Sequence, residues 1–367
     1  MPLSTALSRK LGVEHPIFGF SHSPDVVAAI CLAGGIGVYG ATRRLPAEIA
    51  ADLADIRSRI SDRPFGVDLV LPKGMPERDD RSGIEARIPD GHRRFVDDLR
   101  ARYGVPEPDG PGMRSRFVRS QEVATAQIEA VLASDVDLFA MGIGSPPDAV
   151  ARARSEGKTV VSLVGKPDHA RRAIDTGADI IVAQGYDAGA HTGQIGTFSL
   201  VPQVVDAASP IPVLAAGGVA TGRHIAAAIA MGAQGVWLGT LWLACTEAGT
   251  DPVVLTKLLA AGSDDTVISK ADSGKPLRQV RTAWTDEWTA GGAPTPLPMP
   301  YQDILVGDLL GAIDRHRVEP LMHTPAGQSV AYLTAPTTVA EVMSRLVAET
   351  DAAWAAARGA FIEAAST

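Results

Sequence analysis

From residue 16 to 242 the sequence alternates short apolar runs with amphipathic helical stretches. The runs are PIFGF (16–20), GIGVYG (35–40), FGVDLVL (65–71), VDLFAMG (136–142), TVVSLVG (159–165), ADIIVAQG (178–185), IPVLAAGG (211–218) and GVWLGT (235–240). They read as strands buried on both faces, as parallel strands are. Between them lie segments of helical period, among them PAEIAADLADIRSRI (46–60) and QEVATAQIEAVLA (121–133). Several close on Gly-Ala-Asp or Gly-Ala-Gln, whose glycine suits a helix C-cap. Eight such units over about 225 residues is what a (β/α)8 TIM barrel of the α/β class requires. A doubly wound open sheet is the alternative that the same alternation allows.

Two regions fall outside the repeat. Residues 72–117 are charged and rich in Pro and Gly with a helical centre, which predicts an excursion after the third strand. Residues 251–367 hold the proline-rich GGAPTPLPMP (291–300) and a final amphipathic stretch, TTVAEVMSRLVAETDAAWAAA. The expected division is a barrel over 1–250 and a C-terminal extension over 251–367 that packs on the barrel or covers its mouth. Both the excursion and the extension are open to a role as a lid or as a homodimer contact.

The net charge of −8 argues against nucleic acid or an anionic membrane surface as the main partner. Cys31 and Cys245 lie in apolar runs, too few for a disulfide framework, and read as buried thiols of a cytoplasmic protein. The first residues show no charged segment followed by an apolar one, so no signal peptide is expected. Ile225 to Thr246 contains no charged residue and is long enough for a bilayer, but Gly232, Gln234, Gly235 and Gly239 break it into helix, turn, strand and loop.

AGGIGVYG (33–40) matches G-x-G-x-x-G, yet a helix precedes it and a strand coincides with it, the reverse of a dinucleotide fingerprint. A helix cap with tight strand entry is the better reading. LAAGGVATGRH (214–224) and LGTLW (238–242) follow the seventh and eighth strands. In barrels these loops frequently cradle a phosphate on backbone N–H groups and a helix N-terminus. Gly217, Gly218 and Gly239 would let the backbone approach, and Thr240 would add a hydroxyl donor. The plainer reading of each glycine is an ordinary turn.

After the sixth strand comes AQGYDAGAHTGQIG (183–196). Gly185, Gly189 and Gly193 would let backbone lie against a flat ring, and Gln184 could bond a heterocycle edge. His191 is the group able to move a proton near neutrality. Asp187 would either orient that imidazole or stabilise the loop. His22, at the mouth of the first strand, is a candidate second catalytic group or a packed or solvated histidine.

AQGYDAGAHTG, followed by LAAGGVATGRHIAAAIAMGAQGVWLGT, resembles the FMN-dependent nitronate monooxygenase family, formerly 2-nitropropane dioxygenases, whose pattern FMN-type enoyl-ACP reductases share. PIFGF, AGGIGVYG and FGVDLVLP extend the resemblance over most of residues 10–250. It implies FMN across the C-terminal mouth of the barrel. The phosphate would lie on Gly217, Gly218, Gly239 and Thr240. The ring would lie near Phe20, Ser21, His22, Asp68, Gln184, Gly185 and Gly189. His191 falls on the family's catalytic histidine, and no metal is implied. The chain departs from the family pattern at Asp68, where an asparagine is usual, and at Ser21-His22, where Pro-Met is usual. Asp187 and Ala190 replace a common glutamate and glycine.

Two activities follow from the resemblance. In the first, an alkyl nitronate and O2 give a carbonyl compound and nitrite, with His191 taking the proton next to the nitro group or holding the nitronate oxygens. In the second, NADH or NADPH reduces the flavin, and a conjugated enone or a CoA-type enoyl thioester is reduced or isomerised with His191 supplying a proton. A flavin-free barrel for a phosphate ligand is a third reading, which leaves the glycine-rich sixth loop without a purpose.

Overall fold

A computed structural model describes residues 3–365. Eight parallel strands close on themselves: β1 (Ile17–Ser21), β2 (Ile36–Gly40), β3 (Gly66–Val70), β4 (Leu138–Gly142), β5 (Thr159–Val164), β6 (Ile180–Gln184), and then, past the two-residue β7 (Ala190–His191) that stands outside the barrel, β8 (Val213–Ala216) and β9 (Gly235–Leu238). The order is sequential and β9 returns to β1, so the closed barrel holds and the open sheet does not. The helix expected over 46–60 spans Pro46–Ile60, with Pro46 at its first position, where a missing N–H costs nothing. Gly177 caps the helix Pro167–Thr176 at φ +111°, a left-handed conformation cheap only for glycine.

Strand alternation sorts the side chains. Phe18, Ile36, Val38, Leu138, Ala140, Val161, Ile180, Val182, Leu214 and Trp237 fill the barrel interior, with Leu7 of the short helix Ala6–Lys10 packed into the same cluster. Val67, Leu69, Phe139 and Met141, one residue out of phase, pack outward against the helices. Followed to the mouth, the inward phase reaches Phe20, Gly40, Asp68, Leu163, Gln184, Ala216 and Gly239. The mouth layer is therefore written into the same period that builds the core. Trp237 stacks between Phe18 and Phe20, with centroids 6.4 and 6.2 Å away, and floors that mouth with aromatic surface.

The glycines of AGGIGVYG serve packing. A Cβ on Gly35 would fall 2.7 Å from the Ile17 carbonyl, and one on Gly37 would run into the backbone of Val27. Both cysteines are buried and free. The apolar stretch 225–246 is divided among the helix Gly222–Ala230, β9 and a 3-10 turn over Thr240–Ala244. Among the described residues no helix is long and apolar enough to cross a membrane.

The excursion forms the helices Arg81–Glu85 and Asp90–Arg102, which pack on the helix Tyr301–Arg315 of the extension. The extension also supplies an antiparallel pair, β10 (Thr266–Ser269) and β11 (Leu277–Val280), and the long helix Val339–Ala365. Val339, Val342, Met343 and Leu346, spaced as one helix face, are buried where that helix lies on the helix Gly222–Ala230. The last helix of the extension packs on the barrel wall, and β11 pairs with β7 near the mouth.

Candidate active site

A cleft of about 2510 Å³ opens at the C-terminal ends of the strands. Such a volume exceeds the several hundred Å³ of an ordinary small-molecule pocket and leaves room for a large cofactor beside a substrate. Phe20, Ser21, His22, Asp68, Gln184, Gly189, His191, Gly217, Gly218, Gly239 and Thr240 all line it, so one cavity gathers sites expected from five loops; Gly185 sits behind it.

His191 is held in one tautomer. Its Nδ1 lies 2.9 Å from the carbonyl oxygen of Pro276, so Nδ1 carries the hydrogen and donates. Nε2 keeps the lone pair. Burial lowers the pKa to about 4; the Pro276 carbonyl opposes the drop, and Arg119 and Arg114 add to it. The ring is neutral at pH 7 and able to accept a proton. Its position comes from β11, whose Leu277 pairs with His191 and whose Arg278 pairs with Ala190. Arg278 also covers the Tyr186 ring at 4.4 Å and donates to its carbonyl at 3.1 Å, which fastens the start of the loop. Ala190 takes φ +57°, a left-handed conformation that glycine adopts far more readily than alanine.

Asp187 does not orient the imidazole. Its Oδ2 accepts from the Thr197 N–H at 3.1 Å, capping the helix Thr197–Ala208. Gln184 donates from Nε2 to the His191 carbonyl at 2.8 Å and so ties the loop to the end of β6. The reason read from the sequence for three loop glycines also changes. Where a side chain on Gly185 would begin stands Thr197; for Gly189 it is the Ala326–Gly327 backbone at 2.7–3.0 Å, and for Gly193 the Gly165 carbonyl at 3.0 Å. These glycines make room for the chain itself rather than for a ring.

The phosphate loops behave differently. Gly217 and Gly218 sit at φ +95° and +76°, and their N–H groups find no acceptor among the described residues. A Cβ on Gly217 would fall 2.9 Å from the Ala188 nitrogen. Thr240 accepts from the Gly327 N–H at 2.9 Å, which leaves its own hydrogen free to donate. Two free N–H groups, a free hydroxyl and the open space above Gly239 fit a phosphate. The helix after β8 is not part of that cradle: its Gly222 N–H donates to Glu349 Oε2 at 2.8 Å, so a carboxylate of the extension already occupies its N-terminus. The short turn at Thr240–Ala244 is the terminus that faces the cleft.

His22 donates from Nδ1 to the Gly40 carbonyl at 2.7 Å and meets Phe20 edge-on. Its pKa is lowered, first by burial and then by Arg43 and Arg114, against the pull of the Gly40 carbonyl. Asp68 is 5% exposed and its Oδ1 has no partner. Burial raises its pKa to about 7, well above the usual carboxylate range, so near neutrality the carboxyl can carry a proton and donate as well as accept. The unpartnered oxygen at the floor of the mouth suits a ring with hydrogen-bonding edges, as FMN has.

What the sequence reading missed is a set of arginines. Arg43, Arg114 and Arg119 line the same wall of the cleft, the last two from MRSRFVRS at the end of the excursion. Three arginines within six residues, with Phe117 and Val118 between the last two, were the available signal. Among the described residues no group of His, Cys, Asp and Glu could hold a metal ion.

A family model described as nitronate monooxygenase matches residues 2–349. A Mycobacterium tuberculosis (strain ATCC 25618 / H37Rv) protein with a provisional monooxygenase name is 47% identical over 83% of this chain and 84% of its own. An octahydro-indene-carboxyl-CoA dehydrogenase of the same organism is 28% identical over 79% and 70%. Among solved structures, a nitroalkane oxidase from Streptomyces ansochromogenes superposes with a TM-score of 0.81 at 27% identity, covering 96% of this chain and 99% of that one.

Proposed function

The chain belongs to the nitronate monooxygenase family and is an FMN-type oxidoreductase, and on that premise we propose that it takes a proton from the carbon beside a nitro group and converts the nitronate with O2 to a carbonyl compound and nitrite. One observation carries this reading: the neutral His191 ring, with Nδ1–H committed to Pro276 and Nε2 free in the cleft. A base must begin unprotonated, and burial keeps this one so over the whole neutral range. The chemistry that FMN would supply here, when bound, is electron transfer between the substrate and O2. The phosphate would be held by the N–H groups of Gly217 and Gly218 and the Thr240 hydroxyl, and the ring edge by Asp68. Phe20 and Trp237 would exclude water beneath it. Pro276 keeps the His191 ring in register, so that Nε2 receives the proton at one fixed place.

The reductase reading, in which NADH or NADPH is the reductant and an enone or enoyl thioester the substrate, draws support from the carboxyl-CoA dehydrogenase relative. It requires His191 to begin charged, and the lowered pKa counts against that. Anaerobic stopped-flow bleaching of the flavin separates the two. Bleaching by propane-2-nitronate and not by NADH or NADPH is the expected result. Bleaching by pyridine nucleotide alone would reject the monooxygenase.

A further inference from the structure

Arg119 is 8% exposed, and no carboxylate lies within 4.0 Å of it among the described residues. Its Nε has no hydrogen-bond partner, and its one bond is a long one, from a terminal nitrogen to the Met299 sulfur at 3.7 Å. The neighbouring arginines are matched. Arg43 donates to Asp303 Oδ1 at 2.7 Å and to the Arg114 carbonyl at 3.1 Å. Arg114 donates to Asp272 Oδ2 at 2.9 Å, and Asp272 in turn accepts from His323 and Trp284. Asp303 pulls on Arg119 from a distance, and Asp314 serves the Arg114 and His323 side of the wall. Burial, then Arg43, push the Arg119 pKa down, yet a guanidinium stays charged at neutral pH. An unpaired buried cation is costly, and proteins keep one where a ligand supplies the opposite charge. This one lines the cleft and is close enough to act on the charge of His191.

We propose that Arg119, flanked by Arg43 and Arg114, is an anion subsite of the cleft that takes a planar two-oxygen anion of the substrate. A guanidinium fork matches two coplanar oxygens in a way that a point charge does not. Carboxylate and nitronate share that shape. The group held is either the nitronate formed as His191 takes its proton or a carboxylate elsewhere on the substrate. Arg119 is thus a specificity-determining residue. The inference rests on reading the cleft as the substrate site, but not on which reaction takes place there.

The test compares the flavin-loaded wild type with Arg119→Met, which keeps the apolar stem, and Arg119→Lys, which keeps the charge. Binding of propane-2-nitronate (anaerobic), propionate and its neutral methyl ester is measured by calorimetry and by perturbation of the flavin band. Loss of at least tenfold in affinity for either anion in Arg119→Met, partial recovery in Arg119→Lys and an unchanged ester support the subsite. A nitronate-only loss places the subsite at the reacting end, and a propionate loss places it at a remote carboxylate. Equal anion binding in wild type and Arg119→Met overturns the proposal, as does a loss confined to FMN affinity, which would assign Arg119 to the cofactor. Melting adds a readout free of turnover: propionate raises the Tm of the wild type and not of Arg119→Met. A lower Tm in Arg119→Met without ligand, with anion binding retained, assigns Arg119 to Asp303 and overturns it too. Calorimetric anion binding is read without any turnover, so failure of the nitronate chemistry leaves this result legible.

Discussion

His191 and Pro276 stand 85 residues apart in the chain and are joined by a 2.9 Å hydrogen bond that fixes which ring nitrogen can take a proton. Replacing His191 with Ala should lower turnover by roughly 10²–10⁴ while the protein stays yellow. In the wild type, the kcat/KM limb belonging to His191 should appear only toward pH 4, because the ring stays neutral until then, while any change near pH 7 belongs to Asp68. A limb near 6.5 that persists in Asp68→Asn would mean that the ring is not shielded as the structure has it.

Asp68 should make stability fall as pH rises. Its folded pKa, about 7, lies above that of the unfolded chain, so the folded state binds more protons between about pH 4 and 7. The stabilisation is complete below the unfolded pKa and is lost as pH climbs through 7, by about 4 kcal/mol at most. Asp68→Asn removes the titration. Its Tm advantage over the wild type should grow from pH 4 to pH 8, as scanning calorimetry can record. A gap that stays constant across that range counts against a buried, unpartnered carboxyl.

Gly217 and Gly218 are the cradle positions where a side chain is most expensive. Alanine at either would sit at positive φ, at a cost of about 1–2 kcal/mol, and at Gly217 would press on Ala188. FMN affinity, followed by flavin fluorescence, should weaken at least about tenfold. Gly91→Ala, in the helix Asp90–Arg102 with open space around its Cβ, should leave the affinity as it is and hold or slightly raise the Tm. Undiminished FMN binding in Gly217→Ala and Gly218→Ala together would remove the phosphate from this loop.

Ala190 holds the residue before His191 in a left-handed conformation, at φ +57°. Glycine there relieves about 1–2 kcal/mol of strain and gives back about half in chain entropy. Ala190→Gly should therefore raise the Tm slightly, and a drop of several degrees would contradict the strain.

The barrel was legible because one period runs through it. The same alternation that buries Val38, Ala140 and Val182 carries Asp68 and Gln184 to the mouth, so strand ends read in phase already name site residues. The loop glycines were legible as special but not in their purpose. Gly185 and Gly189 yield to Thr197 and to Gly327, one of them 138 positions away along the chain, and local pattern holds no record of such a neighbour. The Glu349 that closes the N-terminus of the helix after β8 was invisible for the same reason. Arg119 escaped because an arginine just past a charged, proline-rich excursion looks like solvated surface, whereas the folded chain buries it.

The pairing of β11 with β7 makes the placement of the His191 ring a joint product of two distant stretches of chain. Halting the sequence at the last barrel strand would leave the imidazole without its ladder partner and without the carbonyl that selects its tautomer. Swapping tails between relatives would likewise transplant a tuning element along with a covering. The barrel and its tail set the placement of this imidazole together, so a change in either distant stretch reaches the same ring.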